Sequence, residues 1–494
     1  MENLPLISLL FSMFPVATIV LWSLRHPASA RWIALTTTLL ELGISFIILR
    51  GYRPEISGFQ FTEIHPWIPF IHVYYRVGVD GISVLFLPLT AVLFLGAILT
   101  SWQRVTTMTR LYYTLLLFLK TVTFGIFCAL DTILFFLFWE LALVPIYFLI
   151  SLWGAGPHRR YSAVQYTLLM IASGIPLLLA IILLAIDHAH SHQSGLLFSL
   201  PDLLASPATP RFQTLLFFLL LAGLAPKVPL VPFHVWLPTM AREGPAVVLA
   251  FMSGVKLGAY GIIRLLLPLA PVAAQDYHWL LAGMGTAGLL YGAFLALSQT
   301  NLLMLLAYAS ISHVGLVLLG IASLNLTGIQ GAVFQLINFS LIASSLFFLT
   351  SFLQHRIQTT EAVNLGGIAS SMPLLASFFL FFGLASMGLP GTCGFPAEFL
   401  LLMSALKTHS GAGLAALATM ILAAGYFLNL FRKSFLGQTH HQLQGPLDDL
   451  LPRELAILLM LATPVILFGL FPQPILDHIA AATIPWVERL AQKP

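Results

Sequence analysis

The chain has 494 residues, 59% of them hydrophobic and only 8% charged. Ordinary globular chains carry roughly 25% charged residues, so this is a polytopic membrane protein whose core is buried against lipid and other helices. The pI of about 9.1 rests on scattered Lys and Arg with no basic tract, which excludes nucleic acid as a partner.

A membrane span needs about 20 apolar residues. Candidates run at 4–24, 30–50, 80–102, 109–129, 131–152, 164–187, 212–238, 245–268, 277–298, 301–323, 328–353, 371–407, 411–435 and 455–473. The first reads as a span, not a cleavable signal. The expected fold is an all-α membrane protein of about 14 transmembrane helices without a soluble domain. The longest polar connections are 51–79, 188–211 and 436–454. Residues 474–494 read as an interfacial tail with Trp486, Arg489 and Lys493.

Arg25, Arg31, Arg104, Arg110, Arg159, Arg160, Arg242, Arg356, Arg432, Lys433 and Arg453 follow odd-numbered spans. Arg50, Arg53, Arg76, Arg211 and Lys407 lie on the other side. The positive-inside rule then places both termini outside the cytoplasm.

Spans seven and twelve are discontinuous. The seventh contains Pro226-Lys227-Val228-Pro229-Leu230-Val231-Pro232, and the twelfth contains Gly388-Leu389-Pro390-Gly391 and Pro396. Proline removes a helix hydrogen bond, and freed backbone is tolerated at membrane depth only against protein or a wet cavity. Such breaks in two halves of a chain point to an ion pathway. Their five-span separation implies two inverted five-helix repeats. The layout is then 1–108 for helices 1–3, 109–270 for the first repeat (helices 4–8), 271–437 for the second (helices 9–13), and 438–494 for helix 14 and the tail.

Ionisable groups inside spans are costly, roughly 2.5–3.5 kcal/mol on insertion scales, so each needs a partner or a purpose. The candidates for proton translocation are Glu140, Lys227, Lys256, His313 and Glu398. Glu140 precedes Pro145 and reads as a relay group or a structural ion-pair member. Lys227 lies between two prolines whose freed carbonyls can solvate it. Lys256 has small neighbours, Gly254 and Gly258, that leave room for water; snorkelling is its bland alternative. His313 suits a relay near neutral pH, or is a packing residue. Glu398 follows the second break, in the expected first turn of a helix. Lys120 lies as far before the turn near Leu130 as Glu140 lies after it, so the two either pair or Lys120 faces a neighbouring subunit or snorkels. Arg264 reads as an interfacial charge and Asp80 as a loop or helix-start residue. Cys128 and Cys393 lie in apolar runs with no metal spacing, and no disulfide is expected.

In order along nearly the whole chain, these pieces resemble the antiporter-like membrane subunits of respiratory complex I, the M type (mitochondrial chain four) above all. The matching pieces are Gly78-Val79-Asp80-Gly81, Phe138-Trp139-Glu140 through Pro145, and Lys227 through His234-Val235-Trp236-Leu237-Pro238. Lys256 to Arg264, Ser312-His313-Val314-Gly315, Gly388 through Glu398-Phe399, Phe431 to Gly437 and Gly469 to Asp477 match too. The resemblance implies a proton-translocating membrane-arm subunit of an NADH–quinone oxidoreductase in a bacterial inner membrane. It implies no catalytic, cofactor or metal site in this chain. NAD, FMN, iron–sulfur clusters and quinone are expected in partner subunits, and the partners are the other membrane-arm subunits and lipid, with no soluble substrate. Glu140 would tune Lys227, Lys256 and His313 would form the central relay, and Glu398 would exchange protons with the outer side. Lys120, His234 and Asn338 are candidate modulators.

The chain departs from that pattern in places. Phe339 stands where a histidine is usual, Lys120 where an acidic residue is common, and Thr239-Met240-Ala241 where Asp-Ala-His is usual. Asn301-Leu302-Leu303-Met304 replaces the Asp-x-Lys-Arg before the tenth span. Two alternatives therefore stand beside complex I. One is a paralogue in a membrane hydrogenase, a cation/proton antiporter or an inorganic-carbon uptake complex; the other is a scaffold that has lost pumping.

Overall fold

The computed structural model describes residues 4–24, 26–56, 58–193, 195–206, 208–437 and 448–491. Twelve of the described helices are long and apolar enough to cross a membrane. Two shorter apolar helices, Pro210–Leu224 and Pro373–Ser386, open the stretches expected to be broken. Ser83–Ser101, Ala246–Leu269 and Leu302–Ala322, all largely buried, pack on Leu326–Ile357, whose best apolar window is entirely enclosed, and Thr109–Cys128 is buried against Ser83–Ser101. Leu6–Ser23, Ala28–Gly51 and Pro452–Leu470 bury only about a third of theirs and stand at the rim.

The inner helices pack closely because their contact faces are small. Ser344 Oγ donates to the Ala250 carbonyl at 2.8 Å and Ser340 Oγ to that of Gly254 at 3.1 Å. An added Cβ at Gly254 would lie 2.4 Å from Ser344 Oγ. Such small, hydroxyl-bearing contacts serve helix association where lipid removes the hydrophobic driving force. Side-chain caps set several helix starts: Asp131 accepts from Ile133 and Leu134, and Asn301 from Leu303 and Met304, satisfying orphaned amide donors.

Both expected interruptions are present. After Pro210–Leu224 the chain runs through turns as far as Val235 before the helix Trp236–Glu243. After Pro373–Ser386 it turns through Gly388 (φ 73°) and Gly391 (φ 89°) before the helix Gly394–Thr408. Those left-handed angles suit glycine. A third interruption was not expected. The span Ala246–Leu269 is helical over Ala246–Gly254, leaves helical geometry at Val255 and Lys256, and resumes at Leu257–Gly261 before a π-turn at Ile262–Leu266. A milder break divides Thr132–Leu141 from Leu143–Trp153, where Pro145 supplies no amide to the preceding turn.

Two further segments carry secondary structure that the apolar pattern did not show. The connection 51–79 contains an antiparallel hairpin, Gln60–Ile68 with Val73–Val79, so the chain is not purely helical. Its β-branched and aromatic residues (Phe61, Ile64, Val73, Tyr75, Val77) suit a pleated surface. Within the segment read as an interfacial tail, Gln473–Ala491 is helical, with Ile479, Thr483 and Val487 buried at helical spacing. Arg25, Lys493 and the Arg489 side chain lie outside the described residues.

Candidate functional site

The breaks bring the ionisable residues into the interior. Lys227, in the first, donates from Nζ to the Trp139 carbonyl at 2.8 Å and lies 3.8 Å from the centre of the Trp139 ring. Trp236 Nε1 holds the freed Pro226 carbonyl at 2.8 Å. Glu140, next to Trp139, lies against Gly174; a Cβ there would sit 2.4 Å from its Oε1. Among the described residues no ion pair within 4.0 Å joins Lys227 to Glu140. The lysine is held one residue away from that carboxylate, by a carbonyl and an aromatic face.

Lys256 stands at the unexpected break. Its ammonium donates to Ser310 Oγ and faces the Phe339 ring, 5.8 Å from the centroid. Gly258 brings this break against the first, since a Cβ there would lie 2.5 Å from Val228 N and 2.7 Å from the Lys227 carbonyl carbon. Phe339 also meets His313, with ring centroids 4.5 Å apart. His313 Nδ1 lies 3.5 Å from Glu398 Oε1, which also accepts from Gln335 Nε2 at 3.3 Å. Gln335, Asn338 and Glu398 are buried, and His313 is nearly so. Lys256, Ser310, Phe339, His313 and Glu398 thus form one contiguous cluster, with Ser310 one turn before His313 on the same helix. Glu398 sits one turn deeper than expected, because its helix starts at Gly394; the positive helix end acts on it less.

The candidate modulators divide. Asn338 joins the central cluster through Gln335. His234 is buried edge-on to Tyr291 at 4.8 Å, its Nδ1 without a partner, and lines an open cavity with His158, Arg242, Glu243 and Tyr308. Lys120 does not pair with Glu140. It forms an ion pair with Glu41, both side chains fully buried, and donates to Thr38 Oγ1 at 2.6 Å. Equal depth along two hairpinned helices does not fix which way a side chain faces, and Lys120 faces the helix Pro27–Gly51. Arg264 likewise is no interfacial charge: it is buried and paired with Asp80 at 2.5 Å, under the Phe59 ring. Asp80 lies in the turn just before the helix Ser83–Ser101, and its carboxylate accepts from Ser83 N at 2.9 Å.

Sequence reasoning omits Glu41, Ser310 as the lysine's partner, and Cys393 as a member of the cluster. Glu41 had a signal, a lone carboxylate in the apolar run Leu39-Leu40-Glu41-Leu42. The other two are tertiary neighbours with none. Lys, His and carboxylate groups at these spacings can accept, hold and pass protons. Among the described residues no group of three or more His, Cys, Asp or Glu is placed to hold a metal ion.

Residues 129–423 match the family described as NADH:quinone oxidoreductase/Mrp antiporter, TM. The chain is 34% identical to NADH-quinone oxidoreductase subunit M of Rhodobacter capsulatus, covering 94% of this chain and 91% of that one. It is 34% identical to subunit M of Escherichia coli K12, covering 92% of each. NAD(P)H-quinone oxidoreductase chain 4 2 of Thermosynechococcus vestitus is 36% identical, over 91% of this chain and 85% of the relative. A chain of respiratory complex I from Thermus thermophilus with bound NADH superposes with a TM-score of 0.88 at 28% identity, over 98% and 99% of the two chains. A chain of the Mrp complex from Dietzia shares the fold at a TM-score of 0.81 and 22% identity, over 96% of this chain and 51% of the other.

Proposed function

The chain belongs to the NADH:quinone oxidoreductase/Mrp antiporter transmembrane family, and we propose that it moves protons as an M-type membrane-arm subunit of a complex I-like NADH–quinone oxidoreductase. Redox chemistry, with its NAD, FMN, iron–sulfur clusters and quinone, belongs in this reading to partner subunits. The observation that carries it is the coincidence of helix breaks with ionisable groups. Lys227 and Lys256 stand at breaks whose backbones touch, and Glu398 lies just beyond a third.

The path runs from Glu140 and Lys227 through Lys256 and His313 to Glu398. Lys227, resting on Trp139, has Glu140 as the next acceptor along the same helix. Moving it between the two changes its protonation equilibrium, at ~1.36 kcal/mol per pH unit, and lets a distant conformational change load and release a proton. The chain is read as about 14 spans in two inverted repeats, 109–270 and 271–437, flanked by 1–108 and 438–494. Helix lengths support this: the third helix of each repeat is the long one, Arg159–His192 with 34 residues and Leu326–Ile357 with 32. Each is followed by the broken span.

The test is Lys227→Ala in the native assembly reconstituted into vesicles. Proton movement is expected to disappear while the subunits stay together and quinone reduction continues. Normal pumping by an intact mutant assembly would overturn the assignment.

A further inference from the structure

We propose that Gln335, Asn338 and Cys393 form a positioning chain for Glu398, an oriented run of side-chain hydrogen bonds that reverses direction when the carboxylate takes up a proton. The proposal rests on Glu398 being a proton-carrying group, as read above. Cys393 Sγ donates to Asn338 Oδ1 at 2.9 Å, Asn338 Nδ2 to Gln335 Oε1 at 2.9 Å, and Gln335 Nε2 to Glu398 Oε1 at 3.3 Å. Every donor points toward Glu398. Cys393 and Asn338 are essentially inaccessible, and Gln335 completely so. Gln335 and Asn338 share a face of Leu326–Ile357 at i, i+3 spacing. Cys393 and Glu398 belong to the same broken span, one before its second helix and one within it. The chain therefore leaves that span at the break and returns to it at the acid.

An ionised carboxylate only accepts, so it requires an amide N–H from Gln335. A protonated one keeps an acceptor oxygen but gains an O–H donor, and that hydroxyl, formed on the oxygen that faces Gln335, is satisfied there when the amide turns its own oxygen toward it. Each amide has a donor end and an acceptor end, so rotating both reverses the run. Glu398 O–H then donates to Gln335 Oε1, Gln335 Nε2 to Asn338 Oδ1, and Asn338 Nδ2 to Cys393 Sγ. A thiol ends such a chain well, because sulfur is weak both as donor and as acceptor and loses little either way. The proton itself comes from His313: the Nδ1–H bond of the imidazolium breaks, an O–H bond forms on Glu398 Oε1, and neutral imidazole remains. No proton travels along the amides. They report the charge of Glu398 to the helix break, where Cys393 N donates to the Val465 carbonyl of Pro452–Leu470 at 2.8 Å.

The groups facing Glu398 from other helices are His313 and Tyr426, besides Gln335 and the backbone at Gly388. A shift caused by the chain must therefore be separated from one caused by these. The native assembly would be examined by infrared difference spectroscopy, with the Glu398 band assigned through Glu398→Gln, and by the pH profile of pumping. Gln335→Met removes the last donor. Losing a hydrogen bond to a charged group corresponds to about tenfold in the protonation equilibrium. The pumping profile is expected to move about one unit toward higher pH, and the Glu398 carboxyl band to shift. Asn338→Leu makes the decisive case, because Asn338 has no hydrogen bond to Glu398, yet the same band is expected to shift by a smaller amount. Cys393→Ser should restore wild-type behaviour where Cys393→Ala does not. An Asn338→Leu assembly that is intact, with the Glu398 band and profile unchanged, overturns the chain. Normal pumping by Glu398→Gln would instead overturn its proton-carrying role, and the infrared shift in Asn338→Leu would still stand or fall by itself.

Discussion

Two buried ion pairs, Lys120 with Glu41 and Arg264 with Asp80, show what single residues here must satisfy. A buried lysine is stabilised in its charged form by a counter-charge, and Glu41 supplies one to Lys120, with Thr38 as second acceptor. Removing one partner leaves an uncompensated buried charge and costs about 3–5 kcal/mol, whereas replacing both by apolar residues of similar size is often neutral or stabilising. Lys120→Met and Glu41→Leu are each expected to lower the thermal stability of the assembly, and the double variant to recover most of the loss. Additive losses in a double-mutant cycle would mean the two do not interact. This pairing was hard to read from sequence. The charge of Lys120 was visible, but its partner lies two helices earlier, and the hairpin between Thr109–Cys128 and Thr132–Trp153 made Glu140 look like the natural choice. The position of Lys227 at a break was readable, because it lies between two prolines that disrupt the helix.

Apolar stretches of spanning length announce themselves, since bilayer thickness sets their length, and prolines announce two of the breaks. The break at Lys256 carries no proline. It comes from crowding: Gly254 admits Ser344, and Gly258 lets the Lys227–Val228 backbone approach where a Cβ would lie 2.5 Å away. Such an approach is visible only once the helices are placed, so the sequence showed the glycines as room for water and not as contacts. The hairpin at Gln60–Ile68 was obscured for a different reason, its alternation being interrupted by Pro66 and Pro69 within a polar connection. Gly258→Ala tests the crowding. Overpacking a tight core typically costs about 1–3 kcal/mol, and here the strain falls on both lysine-bearing breaks. The variant is expected to assemble with a lower melting temperature and to lose much of its pumping. An assembly with native stability and native pumping would show that the two breaks need no contact.

At the scale of the whole molecule the breaks bring Lys227, Lys256, His313 and Glu398 with their polar partners into the interior, and Phe339 is where aromatic carbon stands among them in place of a side chain able to carry a proton. Its ring meets two of them, Lys256 at 5.8 Å from the centroid and His313 at 4.5 Å between rings. The nearby polar groups are already engaged: Ser340 with the Gly254 and Leu336 carbonyls, Ser344 with that of Ala250, and Asn338 with Gln335 and Cys393. A phenyl ring stabilises a nearby ammonium through its face but cannot accept its proton, so transfer from Lys256 to His313 must pass around the ring, by water or by the Ser310 hydroxyl, which Lys256 contacts and which lies one turn before His313 on the same helix. Water needs a roomy polar site with two or more partners, and the ring narrows that site. Phe339→His places a donor and an acceptor at the same point. If Phe339 throttles the relay, the variant is expected to pump faster per electron transferred than the parent, with the gain abolished by adding Lys227→Ala. If the parent does not pump and the intact Phe339→His assembly does, the ring alone separates this chain from a working translocator. An intact variant with unchanged pumping shows that the ring is no barrier. An intact variant that pumps no more than a non-pumping parent places the defect elsewhere among these groups, and supports a scaffolding role for the chain.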